Sequence, residues 1–102
     1  MSTLHTVNKS PFDRPTLQTC LRLAGKGNAV LLYEDGVYGA MQGTAVADTV
    51  KEALGNVSIY VLGPDLKARG VGEDKLIDGV KVVDYKGFVD LTVENDKVNA
   101  WL

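Results

Sequence analysis

The segment Ala29-Val-Leu-Leu-Tyr33 constrains this chain most, because it is an unbroken apolar run set between the turn formers Gly27-Asn28 and Glu34-Asp35-Gly36. A strand with one wet face alternates apolar and polar residues, whereas a continuous run needs cover on both faces, the habit of a central strand in a parallel sheet. Parallel neighbours cannot be joined by a tight turn, so helices are expected between the strands.

The flanking sequence supplies those helices. Thr3 to Val7 reads as a first strand closed by Asn8-Lys9-Ser10-Pro11, residues that favour turns. Asp13 can cap a helix and Pro15 is tolerated in its first turn. Leu17, Leu21 and Ala24 then recur at i, i+4 and i+7, which predicts a helix from about Arg14 to Ala24, stopped by Gly25. After the central strand comes an irregular, glycine-interrupted lead-in to Gly43. Val46, Val50, Ala53 and Leu54 then mark a second helix, ended by Gly55-Asn56.

Val57 to Leu62 is a third strand, and Gly63-Pro64-Asp65 opens a short helix through Leu66 to Arg69 that Gly70 ends. Val80 to Val83 makes a fourth. Asp84 is placed as an N-cap, Tyr85, Phe88, Val89, Thr92 and Val93 fall on one helical face, and Lys97 to Leu102 offers a last short strand. Strands alternating with helices through short connections indicate βαβ units. The expected architecture is α/β: a single three-layer α/β/α domain spanning residues 1–102, with a mainly parallel sheet of four to five strands.

Composition limits function more than it points to one. With 102 residues, 45% of them apolar and 24% charged, the chain has material for one compact core and is not disordered in character. The formal net charge of −2 offers no cationic surface for a phosphate backbone, so no direct nucleic-acid contact is expected. No apolar run approaches the roughly 18 residues that would cross a bilayer, and the N-terminal Met1-Ser-Thr-Leu-His-Thr lacks a secretory pattern. A cytoplasmic protein without membrane contact is expected.

In such folds ligands gather at the carboxyl ends of the strands. Here those ends are Asn8-Lys9-Ser10, Glu34-Asp35-Gly36, Gly63-Pro64-Asp65 and Asp84-Tyr85, and three of the four carry acids that would repel a phosphate. Neither Gly25-Lys-Gly27, at a helix end, nor Gly70-Val-Gly72, after a helix, stands in a phosphate-cradling context. Asp35, Asp65 and Asp84 read as turn and cap residues. His5 is the only histidine, so a metal site has no ligand set, and a hydrogen-bonded place within a strand is expected for it. Met41 and Trp101 read as packing or contact residues, and no cofactor is implied.

One candidate for chemistry remains, the lone cysteine Cys20. A single thiol is either inert packing or a reactive sulfur whose partner lies on another chain. Leu17, Leu21 and Ala24 centre the apolar stripe of its helix. Cys20 falls roughly 60° to one side with Leu23 further round the same flank, which places the thiol at the stripe's edge, where a second subunit could pack. It stands too far along the helix for the N-terminal dipole to activate it.

The strings Leu4-His-Thr-Val-Asn-Lys-Ser-Pro11, Leu31-Leu-Tyr-Glu-Asp-Gly-Val37, Asp65-Leu-Lys-Ala-Arg-Gly70, Asp84-Tyr85 with Phe88-Val89, and Ala100-Trp101, in this order and over nearly the whole chain, resemble the DsrH/TusB family. The resemblance implies a DsrE/F/H-like α/β fold and a subunit of a sulfur-relay complex. Two copies each of three homologous chains would form that heterohexamer, so DsrE/TusD-like and DsrF/TusC-like subunits are the implied partners, with a DsrC/TusE-like sulfur carrier. In the DsrEFH version persulfide sulfur serves sulfur oxidation; in the TusBCD version it leads to 2-thiouridine in tRNA. The principal persulfide cysteine of the family lies on the DsrE/TusD-like subunit. DsrH-type chains look similar to this one at Cys20 and TusB-type chains commonly lack a cysteine there. The resemblance therefore implies the DsrEFH role with Cys20 as an auxiliary sulfur site; the alternative is a mainly structural TusB-type subunit.

Overall fold

In a computed structural model, which describes residues 2–102, the central run is strand β2 (Ala29–Leu32), with all four residues buried. It pairs in parallel with β1 (Thr3–Val7) on one side and β3 (Ser58–Leu62) on the other, placing His5 beside Val30 and Ile59 beside Val30. Strand β4 (Lys81–Val83) joins β3, and β5 (Lys97–Trp101) joins β1, so the sheet runs β4-β3-β2-β1-β5 with every pairing parallel. The α/β expectation holds, at the upper end of the expected strand number.

Crossover handedness assigns each helix its face. A strand, helix and parallel strand connect in a right-handed sense, so helices made while the chain steps from β1 out to β4 share one face, and the return to β5 uses the other. Helices α1 (Thr16–Leu23), α2 (Ala47–Ala53) and α3 (Gly63–Ala68) accordingly contribute Leu17, Cys20, Ala47, Val50 and Leu66 to a core with Val7, Val30, Leu32, Ile59 and Val61. Helix α4 (Tyr85–Glu94) alone covers the second face, setting Leu91 and Phe88 on Leu4, Ala29 and Leu31.

The local signals fall close to where the sequence put them. Asp84 caps α4, its Oδ1 accepting from the Gly87 N–H at 2.8 Å. Pro64 sits in the first turn of α3, and Gly70, in the left-handed region at φ 68°, ends it. Helix α1 starts later than expected, at Thr16: Pro15 is its cap residue, and the Asp13 and Arg14 N–H groups turn back to the Ser10 carbonyl, each at 3.1 Å.

Two readings differ from the structure. The irregular lead-in after β2 is a 3-10 turn over Glu34–Ala40, with Gly36, Val37, Gly39 and Ala40 buried. Its glycines allow close approach: a Cβ on Gly36 would collide with the Val7 carbonyl oxygen, and one on Gly39 with the Leu17 side chain. The apolar face expected on α4 is also turned. Leu91 is its buried residue and Phe88 is half-buried, whereas Tyr85, Val89 and Val93 are 61%, 59% and 79% exposed. The helix rotates because Phe88 is drawn toward Tyr33, ring centroids 6.2 Å apart, and Leu91 onto Leu4 and Leu31.

Gly36→Ala is therefore expected to cost about 3 kcal/mol, since the atom it meets is backbone and cannot yield as a side chain would. Urea unfolding would measure it, against Gly43→Ala, where nothing stands within 4 Å but φ is 75°, as the comparison for backbone strain alone.

Candidate functional site

The acids at the carboxyl ends of the strands are engaged in holding the scaffold. Asp65, in the first turn of α3, accepts from the Glu34 N–H at 2.6 Å and so fastens Glu34, a non-glycine residue at φ 48°. Asp35 takes the Arg69 Nε–H at 2.9 Å, and Arg69 Nη1 reaches back to the Asp65 carbonyl at 3.3 Å. The Asp35 side chain is 58% exposed, so the pair is a surface contact worth at most about 1 kcal/mol. Asp84 is occupied as the cap of α4. Among the described residues no three His, Cys, Asp or Glu side chains gather as a metal site.

Cys20 lies in the larger core with no exposed surface, beside the fully buried Leu17 on its own helix. The wheel placed it at the stripe's edge, and the structure takes that edge inside: Leu17 and Cys20 are buried, Leu21 and Ala24 half-buried, and Leu23 is 64% exposed. An apolar arc wider than about 100° includes Cys20 and still leaves Leu23 outside. Burial pushes the thiol up to about 12 from its ordinary 9.0. Sulfur transfer needs an accessible thiolate, and burial holds this thiol in its neutral form at neutral pH.

His5 is buried in β1, where the Trp101 indole Nε1–H donates to its Nδ1 at 3.0 Å. The amide nitrogen of Asn28 stands 3.2 Å from its Nε2, and Asn28 Oδ1 accepts from the Thr3 N–H at 3.1 Å. Burial moves His5 below its ordinary 6.5. The expected hydrogen-bonded strand histidine is found, and Trp101 is its contact. Short-range pattern could not have joined Trp101 to His5, 96 residues apart, nor Asp35 to Arg69, 34 apart. The surface hollows are open: one of about 360 Å³ between α1 and α2 is lined by Gln18, Arg22, Thr49 and Glu52 among others. No helix among the described residues is long and apolar enough to cross a membrane.

The all-parallel five-stranded sheet with helices on both faces defines an α/β protein. A family model described as DsrH like protein matches residues 9–98. The chain is 40% identical over 99 residues to Protein TusB of Pectobacterium parmentieri, covering 96% of this chain and 99% of that one. It is also 40% identical over 98 residues to Protein TusB of Erwinia tasmaniensis, covering 96% and 99%. It belongs to the DsrH/TusB sulfur-relay family. The fold is shared with the ychN protein from E. coli (TM-score 0.81, 23% identity, 98% of this chain and 99% of that one). It is shared as well with a protein of unknown function from Methanobacterium thermoautotrophicum (TM-score 0.78, 20% identity, 97% of each).

The burial of Cys20 gives a direct expectation. Ellman's reagent should label the folded chain at least about a hundredfold more slowly than the chain in denaturant, with the rate following the opening of α1. Immediate labelling under native conditions would place the thiol outside the core.

Proposed function

We propose that this chain is the TusB-type subunit of a sulfur-relay complex, one that completes the assembly and shapes its docking surface while the sulfur travels on cysteines of other chains. The single observation that carries this reading is the state of Cys20: fully buried, its thiol raised to about 12 by desolvation. Such a sulfur packs as a small hydrophobe. The names of the relatives, TusB at 40% identity over nearly the full length, support the same branch, and the resemblance to that branch implies a place beside TusC- and TusD-like subunits in tRNA 2-thiouridine synthesis.

The surface supports a chain that is completed by others. Tyr85, Val89 and Val93 stand at i, i+4 and i+8 on α4, exposed together, and Val98 on β5 is 52% exposed on the face that Leu4 and Leu91 line. An apolar stripe left in water on a small chain marks a contact surface. On this reading the protein works in the cytoplasm with a TusE-like carrier and without a cofactor of its own. The sulfur-oxidation branch, with Cys20 as an auxiliary persulfide site, would require α1 to open before the thiol could attack.

Cys20→Ala and Cys20→Ser separate the two in the assembled complex. Alanine is expected to leave sulfur delivery within about twofold of the parent, while lowering stability by about 1 kcal/mol through the cavity it leaves. Serine, which buries a hydroxyl with no partner, should cost more stability, about 1–3 kcal/mol. If Cys20→Ala assembles normally yet abolishes delivery, and mass spectrometry of the parent complex finds a persulfide on Cys20, the thiol carries sulfur and the structural reading fails.

A further inference from the structure

His5 and Trp101 are the only histidine and the only tryptophan of the chain, and they meet across the pairing of β1 with β5. Strand β5 is an edge strand with exposed residues from Lys97 through Ala100, and Trp101 is half-buried against the larger core. Its entry is tied to Ser2: the Ser2 carbonyl accepts from the Asp96 and Lys97 N–H groups at 3.0 and 3.3 Å, and Asp96 Oδ2 accepts from the Ser2 N–H at 3.0 Å. Its far end is held, beyond the ladder itself, by the indole on His5.

The donors around the ring decide when that contact exists. An indole N–H can only donate, so Nδ1 must be the bare nitrogen and the neutral ring carries its proton on Nε2. The Asn28 amide cannot serve both neighbours: its oxygen accepts from the Thr3 N–H at 3.1 Å, and turning it to take the Nε2 proton would give up that bond. A second proton on the ring has one place to go, Nδ1, where it would point at the Trp101 N–H. Donor against donor cannot bond, whichever way the amide is turned.

We propose that His5 and Trp101 form a pH-sensitive latch that fastens the end of β5 to the sheet only while the imidazole is neutral. Of β1 and the two strands paired with it only β5 carries a charged residue, Lys97, while Arg22 on α1 lines the hollow toward α2 and Asp96 is engaged at Ser2. Desolvation is what lowers His5 from 6.5. A released ring regains its ordinary affinity for a proton, so the released state binds protons that the fastened state refuses. The latch is therefore at full strength above about pH 6.5, weakens as pH falls from there to the lowered native value, and is constant below that.

Fluorescence excited at the red edge, where the four tyrosines do not absorb, reads Trp101 alone, and amide exchange reads β5 against the other strands. Between pH 8 and 4.5 the fluorescence of the chain should follow one proton with a midpoint below 6.5. Exchange protection of Asn99 to Trp101 should drop roughly tenfold or more, after correction for intrinsic rates, while Val30 to Leu32 and Ile59 to Val61 keep theirs. His5→Asn keeps an acceptor where Nδ1 stood and cannot titrate, so both signals should become flat. Trp101→Phe removes the opposing donor, and the His5 midpoint followed by proton NMR should rise toward 6.5. Flat fluorescence through the titration of His5, loss of protection in all strands together, persistence of the transition in His5→Asn, or an unmoved midpoint in Trp101→Phe would each overturn the latch.

Discussion

Everything in this structure hangs on the two-sided burial of β2. Ala29 to Leu32 present apolar groups alternately to both faces, so neither face of the sheet can be left to water at its centre. Parallel pairing then forces long crossovers, and their fixed hand distributes the helices unequally. Three lie over Val7, Val30, Leu32, Ile59 and Val61, and α4 alone lies over Leu4, Ala29 and Leu31. A single ten-residue helix cannot cover five strands. The thinly covered face, from Val98 on β5 to the outward stripe of α4, is thus a consequence of topology as much as of local sequence.

The same economy of cover explains the fate of Cys20. The helix that must seal the thicker core has a short buried arc, and every position on it is recruited; a thiol at i+3 from Leu17 fills space as an alanine-to-valine-sized group would. The chemistry of persulfide exchange asks for the opposite environment, with access, cations and water. Packing and reactivity compete for this residue, and in the isolated chain packing has it.

Much of the fold was legible because its signals are local. The unbroken run at Ala29 to Tyr33, the Asp84 cap and the glycines that end helices each act within a few residues, and each stands where pattern put it to within a residue or two. What pattern missed depends on distant atoms. Gly36 and Gly39 looked like flexible punctuation, yet they are small because Val7 and Leu17 press on them. The face of α4 was drawn from hydrophobicity alone, and a helix with more apolar surface than the sheet can take must leave part of it in water. The wheel put Cys20 at the stripe's edge, whereas Leu17 and Cys20 are the buried residues of α1 and Leu21 and Ala24 are half-buried.

The site was less legible than the fold for a further reason. In a βαβ sheet the carboxyl ends of the strands are where binding groups converge, and this chain fills those positions with Asp35, Asp65 and Asp84, then consumes all three in an ion pair, a strained turn and a cap. Asp65 and Asp84 hold backbone N–H groups there, and Asp35 holds Arg69. On the proposed reading the working surface of this chain lies away from that edge. The uncovered apolar groups of α4 and β5 are what the geometry leaves for that role.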